Sequence, residues 1–373
     1  MSGEPSIARE ADGSALLRDA TAALEAAGSS SPRLDAELLL AALLGARVAT
    51  LRTAVAAGFP LPLPATPELP EPDALEERHP TLAAALRGAR AAMGEGDPAA
   101  ALDVLVRARA AGRPVSHLTG RRGFRSIELL ITPDVLDPRP ESELIIATAL
   151  AYLADRVAAA RALGRGPQPL AAAEIGTGSG ALAVTLALES PAPLRLTATD
   201  ISGEALAVAR TNALRAGVGA RISLMHGDLA EPLVSSRAPG DPPHLDLLIA
   251  NLPYVPSDAL DAARDAARAS ASFAASFNEA DGVGTPRDLS RIAIAAEPRI
   301  ALDGGTDGLD LIRRLIAELP RLLRPGGVAI LEFGDGQGNA IARLADGLGL
   351  GWRAALRSDL SGRARIVEIR RGG

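Results

Sequence analysis

The 373-residue sequence contains no cysteine and no lysine, and these two absences exclude several classes of function. Without cysteine there is no disulfide, no thiolate nucleophile and no cysteine-rich zinc site. Without lysine there is neither Schiff-base chemistry nor the lysine of a Walker A phosphate loop. The four histidines are scattered and form no HExxH pair, so the sequence predicts no metal site.

Aromatic residues and an excess of positive charge are also lacking. Aromatic residues make up 2% and hydrophobic residues 47% of the chain, which indicates a folded protein rich in alanine and leucine. A net charge of −6 disfavours direct, sequence-independent binding to nucleic acid. No apolar run approaches the roughly 20 residues of a membrane span, and "MSGEPSIARE" lacks a signal-peptide pattern. We expect a cytoplasmic protein without a membrane partner.

The first third of the chain has helical periodicity. Residues 14–57 fit two helices joined by a short turn, and helical patterns return at 81–92 and 97–111. Between them, the proline-rich stretch "FPLPLPATPELPEP" at 59–72 cannot continue a helix and is typical of a linker or surface loop. We predict a small helical domain over residues 1–113 that contains this insertion.

The remainder of the chain changes character. Residues 114–140 are predicted to form a β-hairpin linker, and a helix begins near Glu141. From residue 170 strand-like runs alternate with helical stretches, which is typical of an α/β domain with a mostly parallel sheet, assigned to 141–373. The tail is expected to add a hairpin at the sheet edge, whereas 257–296 is rich in alanine and serine and has no clear pattern. The predicted strands are Ala172–Ile175, Leu194–Thr199, Ile222–Met225, Leu245–Ala250 and Val328–Phe333.

A glycine-rich loop follows the first strand of this series. In "EIGTGSGALAV", Gly176, Gly178 and Gly180 allow a tight turn and a close approach of the backbone to a ligand. The same letters satisfy the G-x-G-x-x-[GA] pattern through Ala181, so a nicotinamide or flavin enzyme remains an alternative.

Polar residues end the following strands in order. Asp200 ends "LTATD", where an acidic residue can receive ribose hydroxyls, and Asp228 ends "LMHGD", where a carboxylate can accept from an adenine amino group. Either aspartate could instead cap a helix. The buried run "LDLLIA" then stops at Asn251, because Pro253 cannot donate to a sheet. Ligands of open α/β sheets bind at this edge, so the sequence predicts a ligand site there.

The glycine loop, Asp200, Asp228 and the Asn-x-Pro-Tyr tetrapeptide at 251–254 together resemble the S-adenosylmethionine-dependent methyltransferases that modify planar amide or amino nitrogens. Within that class, "PVSHLTGRRGFRSIELLITPDVLDPRPESELI", "EPRIALDGGTDGLDLIRRLI", "LRPGGVAILEFGDGQG" and "RSDLSGRARIV" resemble the peptide chain release factor glutamine methyltransferases. The resemblance covers most of residues 112–373, and the helical N-terminal segment matches more loosely. It implies a Rossmann-like methyltransferase domain preceded by a small helical substrate-binding domain.

The resemblance also implies ligands and roles. The cofactor would be S-adenosylmethionine and the partner a class 1 peptide chain release factor, whose Gly-Gly-Gln glutamine is methylated on its side-chain nitrogen. The catalytic residues would be Asn251, Pro253 and Tyr254. The substrate-binding residues would be Asn251, Leu252, Pro253, Tyr254 and Arg139. The cofactor-binding residues would be Glu174, Gly176, Thr177, Gly178, Gly180, Asp200, Asp228 and Asn251.

The chain departs from the family pattern in the "PRPESE" block, which differs slightly from the usual acidic-Thr-Glu form, in a longer segment after Tyr254, and at Leu252, and this last departure leaves alternatives open. Leu252 stands where the family usually has a proline, and Asn-Leu-Pro-Tyr also occurs in adenine methyltransferases that act on ribosomal RNA. An RNA adenine N6-methyltransferase is therefore one alternative, and a ribosomal-protein glutamine methyltransferase is another. The rRNA enzymes lack the N-terminal helical region and the "PRPESE" block. A protein that binds the cofactor without catalysis is a further alternative.

Overall fold

The computed structural model describes residues 10–59, 61–62, 64, 66–166, 168–236, 238, 241–275 and 289–373. The chain divides into two compact units. The helical unit comprises residues 1–121 and 262–296, and the sheet unit comprises residues 122–261 and 297–373. Part of the segment without a clear sequence pattern, residues 276–288, lies outside the described residues.

The chain contains fourteen α-helices and eleven strands among the described residues. The helices are α1 Gly13–Ala26, α2 Pro32–Leu43, α3 Val48–Ala56, α4 Pro80–Glu95, α5 Pro98–Ala110, α6 Val115–Thr119, α7 Glu143–Ala162, α8 Ala181–Glu189, α9 Gly203–Arg215, α10 Glu231–Ser235, α11 Ser257–Ala275, α12 Leu289–Ala295, α13 Asp310–Leu322 and α14 Gly338–Asp346. The strands are β1 Glu10–Ala11, β2 Leu61–Pro62, β3 Arg121–Phe124, β4 Ile127–Leu130, β5 Leu170–Ile175, β6 Leu194–Asp200, β7 Ile222–His226, β8 Leu245–Ala250, β9 Leu323–Glu332, β10 Trp352–Ser358 and β11 Ala364–Arg371.

The helical unit has three helices, not two, over the region 14–57. The expectation of two was wrong because Gly45 interrupts the apolar pattern: it adopts a left-handed conformation with φ of 61°, and α2 ends just before it. The chain then turns into α3, which the sequence pattern had merged with α2. Apolar faces of α1 to α5 bury a leucine-rich core that includes Leu17, Leu40 and Leu86.

Buried charges in the helical unit are paired with arginine. Asp35 accepts a hydrogen bond from Arg109 Nε at 2.8 Å, and both side chains are 8% exposed. Glu37, also buried, is bonded to Arg33 and Arg52. Burial opposes ionisation of Glu37, yet the hydrogen bonds and charges of these arginines hold its pKa below the ordinary value. Each carboxylate therefore has a fixed counter-charge.

The sheet unit is built on seven strands in the order β10-β11-β9-β8-β5-β6-β7. Strands β9, β8, β5, β6 and β7 are parallel, and β10 and β11 add the antiparallel hairpin expected at the edge. Strand β8 is buried along its whole length, with Leu247 and Ile249 facing one apolar cluster and Leu248 and Ala250 the other. The mostly parallel α/β fold predicted from the sequence is thereby confirmed.

Strands β3 and β4 form a separate two-stranded sheet. The turn between them contains Arg125, which has a positive φ of 48°. Among the described residues, no single helix has the length and apolar character of a membrane span.

Candidate active site

A cavity of about 360 Å³ opens at the carboxyl ends of the central parallel strands. It lies where β5 has β6 on one side and β8 on the other, the position at which open α/β sheets bind ligands. Its volume falls within the range of small-molecule sites, about 300–1,000 Å³. Nine predicted site residues line it: Glu174, Gly176, Thr177, Gly178, Asp200, Asp228, Asn251, Leu252 and Pro253. Gly180, Tyr254 and Arg139 lie outside this lining set.

The glycine loop between β5 and α8 forms one wall. Gly176 has a φ of 73°, and a Cβ atom there would lie 3.0 Å from Leu252 Cδ2. Gly180 has a φ of 80°, and its Cβ would lie 3.1 Å from the Ala209 backbone. Both positions are left-handed and crowded, so a side chain at either would push the loop away from its neighbours.

Glu174, at the end of β5, is hydrogen-bonded to this loop and to the start of α8. It is 1% exposed, and its Oε2 accepts hydrogen bonds from Thr177 Oγ1 at 2.6 Å and from the Ala183 backbone at 3.0 Å. Burial raises the pKa of Glu174 to about 8, although the two hydrogen bonds oppose this rise. No arginine is among the groups that shift it. Glu174 therefore ties the start of the loop to the first turn of α8.

Asp200 joins the glycine loop to the end of β6. Its Oδ2 accepts from Gly178 N at 2.8 Å and its Oδ1 from Ser202 N at 2.8 Å. Burial raises its pKa, and these backbone bonds act against the rise. Each oxygen has a second acceptor position, so Asp200 can still receive ligand hydroxyls from the cavity.

Asp228 is held by a residue that the sequence did not single out. Arg314 on α13 donates to Asp228 Oδ2 at 2.5 Å, and both side chains line the cavity. The Asp228 carboxylate is partly exposed, at 39%, so the other oxygen remains accessible to a ligand.

Asn251, which follows β8, belongs to a hydrogen-bonded group of four side chains. Asn251 Nδ2 donates to Ser142 Oγ at 2.9 Å, and Ser142 Oγ donates to Glu332 Oε2 at 2.7 Å. Tyr254 Oη donates to the other oxygen of Glu332 at 3.2 Å. Burial raises the pKa of Glu332 to about 7, and burial together with the Glu332 charge raises the pKa of Tyr254. We call Asn251, Ser142 and Glu332 the amide relay.

The backbone of the tetrapeptide is fixed from both sides. Gln337 Nε2 donates to the Tyr254 carbonyl at 3.0 Å, and the Leu252 side chain is buried against the glycine loop. Within the described part of the chain, no donor reaches either the Leu252 carbonyl or Asn251 Oδ1. Two acceptors of the tetrapeptide are therefore left for a ligand.

Arg139 has a structural partner near the cavity. Its Nη2 donates to Glu297 Oε2 at 2.5 Å, and the Asp137 backbone donates to the other oxygen of Glu297 at 3.1 Å. Burial raises the pKa of Glu297 to about 7 against the effect of the arginine.

Phe124 is 2% exposed and also lines the cavity, so a buried aromatic of the small sheet contributes to the wall.

Three residues at the site were missed by sequence reasoning: Ser142, Glu332 and Arg314. Glu332 carried a usable signal, since it is the one acidic residue in the apolar run "VAILEF" and stands near its carboxyl end, as Asp200 and Asn251 do in theirs. Ser142 sits among acids at a helix start and resembles an ordinary first-turn residue. Arg314 carried no signal, because many arginines lie on exposed helix faces.

The chain is a methyltransferase, because its sequence matches proteins of this class. Residues 172–273 match a family model described as a methyltransferase domain, and residues 15–55 match one described as the PrmC N-terminal domain. Among solved structures, a methyltransferase from Pyrococcus furiosus has 17% identity over 66% of this chain and 89% of that chain, with a TM-score of 0.40.

Curated relatives identify the family. A release factor glutamine methyltransferase from Moorella thermoacetica is 35% identical over 69% of this chain and 75% of its own length. One from Deinococcus radiodurans is 33% identical over 96% of this chain and 98% of its own length. The chain belongs to the release factor glutamine methyltransferase family.

Proposed function

We propose that the chain transfers a methyl group from S-adenosylmethionine to the side-chain amide nitrogen of the glutamine in the Gly-Gly-Gln loop of class 1 peptide chain release factors. The observation that carries this proposal is the pair of acceptors at the cavity, Asn251 Oδ1 and the Leu252 carbonyl. A primary amide nitrogen has two N–H groups and matches a pair of acceptors.

The residues of the cavity fit the cofactor. The left-handed glycine loop lets the backbone approach the methionine end closely, and Asp200 has free acceptor positions for ribose hydroxyls. The accessible oxygen of Asp228 suits the adenine amino group, with Arg314 holding the carboxylate in place. When bound, S-adenosylmethionine supplies an electrophilic methyl group on a positively charged sulfur.

Orientation is the main task for the residues around the substrate. A carboxamide nitrogen is a poor nucleophile, because its lone pair is delocalised into the carbonyl. Asn251 Oδ1 and the Leu252 carbonyl would each take one N–H and aim the nitrogen at the methyl group. Hydrogen bonds that strengthen as the nitrogen pyramidalises would lower the barrier. The ring of Tyr254 would cover the flat face of the amide and favour the sulfonium charge.

Leu252 preserves this arrangement although it replaces the usual proline. The group used is the backbone carbonyl, which leucine offers as well as proline does. Burial of the Leu252 side chain against Gly176 supplies rigidity that a proline ring would otherwise give. We expect the protein to act in the cytoplasm, where its release factor substrate is found, and to bind it through the helical unit.

Single-turnover transfer of labelled methyl from S-adenosylmethionine to purified release factor tests the proposal. We expect label on the wild-type release factor and none on a variant whose Gly-Gly-Gln glutamine is replaced by alanine. Ribosomal RNA and ribosomal proteins form parallel arms. Label that appears only in RNA, or only in a ribosomal protein, would overturn the assigned substrate.

Asn251→Ala tests the assigned acceptor. The change should lower the transfer rate by about 10²-fold or more, as removal of a well-placed polar group aimed at a transition state does. Cofactor affinity and the melting temperature should stay close to wild type. Leu252→Pro is the matched control at the neighbouring position and should retain activity. Full activity of Asn251→Ala, or a loss that merely follows unfolding, would contradict the role.

A further inference from the structure

The carboxamide of Asn251 has nearly the same shape in its two flipped orientations, and only its hydrogen bonds determine which end faces the cavity. One orientation presents the acceptor Oδ1, and the other presents the donor Nδ2. A substrate nitrogen that bears N–H groups can be held only by the acceptor. The element that fixes this flip therefore determines what the site can bind.

The amide relay fixes it through the direction of its hydrogen bonds. An ionised carboxylate only accepts, so Ser142 must give its single proton to Glu332 Oε2, 2.7 Å away. The Ser142 oxygen is then left with lone pairs only, and its neighbour at 2.9 Å must be a donor. That donor is Asn251 Nδ2, so Oδ1 points away from Ser142 and is the carboxamide atom of this cavity-lining residue that is left for a ligand.

Tyr254 stabilises the same direction. Its hydroxyl donates to the second oxygen of Glu332, so both oxygens of the carboxylate are used by donors. Glu332 is 1% exposed and has no directly bonded arginine among the described residues. The charged groups that act on it are Glu141, which disfavours ionisation, and Arg365 on β11, which favours it.

We propose that Glu332 is a positioning residue that acts through Ser142 to hold the Asn251 carboxamide with Oδ1 toward the cavity, and so selects a nucleophile that carries N–H groups. The inference rests on the proposed function, because it assigns Asn251 Oδ1 to the substrate amide. It adds that Glu332 and Ser142 together determine which end of the Asn251 carboxamide is offered to the substrate, and that neither of them does so alone.

Protonation of Glu332 would reverse the relay. A protonated Glu332 can donate to Ser142, whose hydroxyl then turns and donates to Asn251 Oδ1. Asn251 Nδ2 would face the cavity and oppose the N–H groups of the substrate. Burial raises the pKa of Glu332 to about 7, so the transfer rate should be present above this value and be lost as the pH falls through it.

The test compares wild type with Ser142→Ala, Ser142→Thr and Glu332→Gln in single-turnover transfer to release factor, at saturating S-adenosylmethionine, from about pH 5.5 to about pH 9. Ser142→Ala should lower the rate by roughly 10- to 100-fold, the scale seen when a partner that orients a directly contacting side chain is removed. Ser142→Thr keeps the hydroxyl and should restore the rate. Glu332→Gln cannot ionise and should therefore lose the acid limb of the pH profile.

Thr185→Val is the matched control for the removal of a buried hydroxyl. Thr185 is fully buried on α8, outside the residues that line the cavity, and its hydroxyl has no partner among the described residues. This variant should keep both rate and pH profile. Calorimetry with S-adenosylmethionine and thermal melts, run on every variant, separate a change of orientation from a loss of cofactor binding or folding.

A readout without substrate separates this inference from the proposed function. The NMR signals of the Asn251 side-chain NH₂ group can be assigned by their loss in Asn251→Ala. At a pH above the pKa of Glu332, the hydrogens of this group should exchange with solvent more slowly in wild type than in Ser142→Ala. Failure of wild type to label release factor would count against the function alone. A fully active Ser142→Ala with an unchanged pH profile, or unaltered exchange in that variant, would overturn the relay.

Discussion

Buried carboxylates in the helical unit and beneath the cavity of the sheet unit are stabilised in different ways. In the helical unit, Asp35 is paired with Arg109, and Glu37 is paired with two arginines. Beneath the cavity, Glu174 and Glu332 accept bonds from hydroxyls and a backbone N–H and have no bonded arginine among the described residues. The pKa of Glu37 is held below its ordinary value, whereas those of Glu174 and Glu332 are raised to about 8 and about 7.

The difference follows position relative to the cavity and not the type of fold. Asp246, at the opposite end of β8, is 1% exposed and is paired with Arg324. A counter-charge favours the ionised form of a buried carboxylate, although burial can outweigh it, as at Glu297, where the pKa is raised to about 7 in spite of Arg139. A buried carboxylate without a counter-charge can change its protonation state near neutral pH or respond to a bound cation. The acids beneath the cavity are of this second kind.

The largest effect is expected from breaking an arginine pair in the helical unit. Arg109→Leu leaves Asp35 buried without its counter-charge, and loss of one partner of a buried pair typically costs about 3–5 kcal/mol of unfolding free energy. Chemical denaturation of the full chain measures this change.

Arg107→Leu is the matched control, because Arg107 lies on the same helix and forms an exposed pair with Asp103. An exposed pair of this kind contributes about 0–1 kcal/mol. Equal losses of unfolding free energy in the two variants would show that burial of the Asp35–Arg109 pair does not increase its contribution to stability.

A smaller effect is expected from removing an unpaired acid beneath the cavity. The pKa of Glu174 is raised by burial, so its contribution to stability is present below the unfolded value near 4.5 and is lost as the pH rises through about 8. Glu174→Gln keeps the acceptor for Thr177 without the ionisation. Relative to this variant, wild type should lose on the order of 2–4 kcal/mol between acid and alkaline pH.

Denaturant unfolding of wild type and Glu174→Gln without ligand, at about pH 5.5, 7 and 8.5, measures whether the unfolding free energy of wild type falls relative to the variant as the pH rises. Saturating S-adenosylmethionine should reduce the difference, because its positive charge near the cavity favours the ionised acid. Stability curves that run parallel across this range would remove the proposed distinction between the two kinds of buried acid.

The smallest effect is expected at Asp200, which is partly satisfied by the protein itself. Asp200→Ala should weaken the binding of S-adenosylmethionine by about 1–3 kcal/mol, because ribose hydroxyls lose their acceptor. Titration calorimetry with S-adenosylmethionine and NAD in parallel measures it. Tight NAD binding without S-adenosylmethionine binding in wild type would reject the cofactor assignment altogether.

The sequence predicted those features of the fold and the site that depend on the residue pattern of a single strand. The unbroken apolar run of β8 predicted burial on both faces, and polar residues just after successive strands predicted a site at one sheet edge. It could not predict pairings between distant segments: Asn251 and Ser142 lie 109 residues apart, and only the fold brings them to 2.9 Å. Two helical features were not predicted: the division at Gly45, where a left-handed residue separates two helices, and α11, Ser257–Ala275, which lies in the stretch without a clear sequence pattern.

The discontinuous composition of the helical unit has a topological consequence. The chain passes from one unit to the other three times, after residues 121, 261 and 296. A single cut in the backbone near residue 121 would leave the two units covalently joined through the other two passages, so a nicked protein would keep each at high effective concentration for the other. Deleting residues 1–121 would leave behind the part that lies between 262 and 296. Separating the units therefore also requires replacing residues 262–296 by a short linker between residues 261 and 297. These two ends are already held by the ion pairs of Arg299 with Asp261 and Asp303.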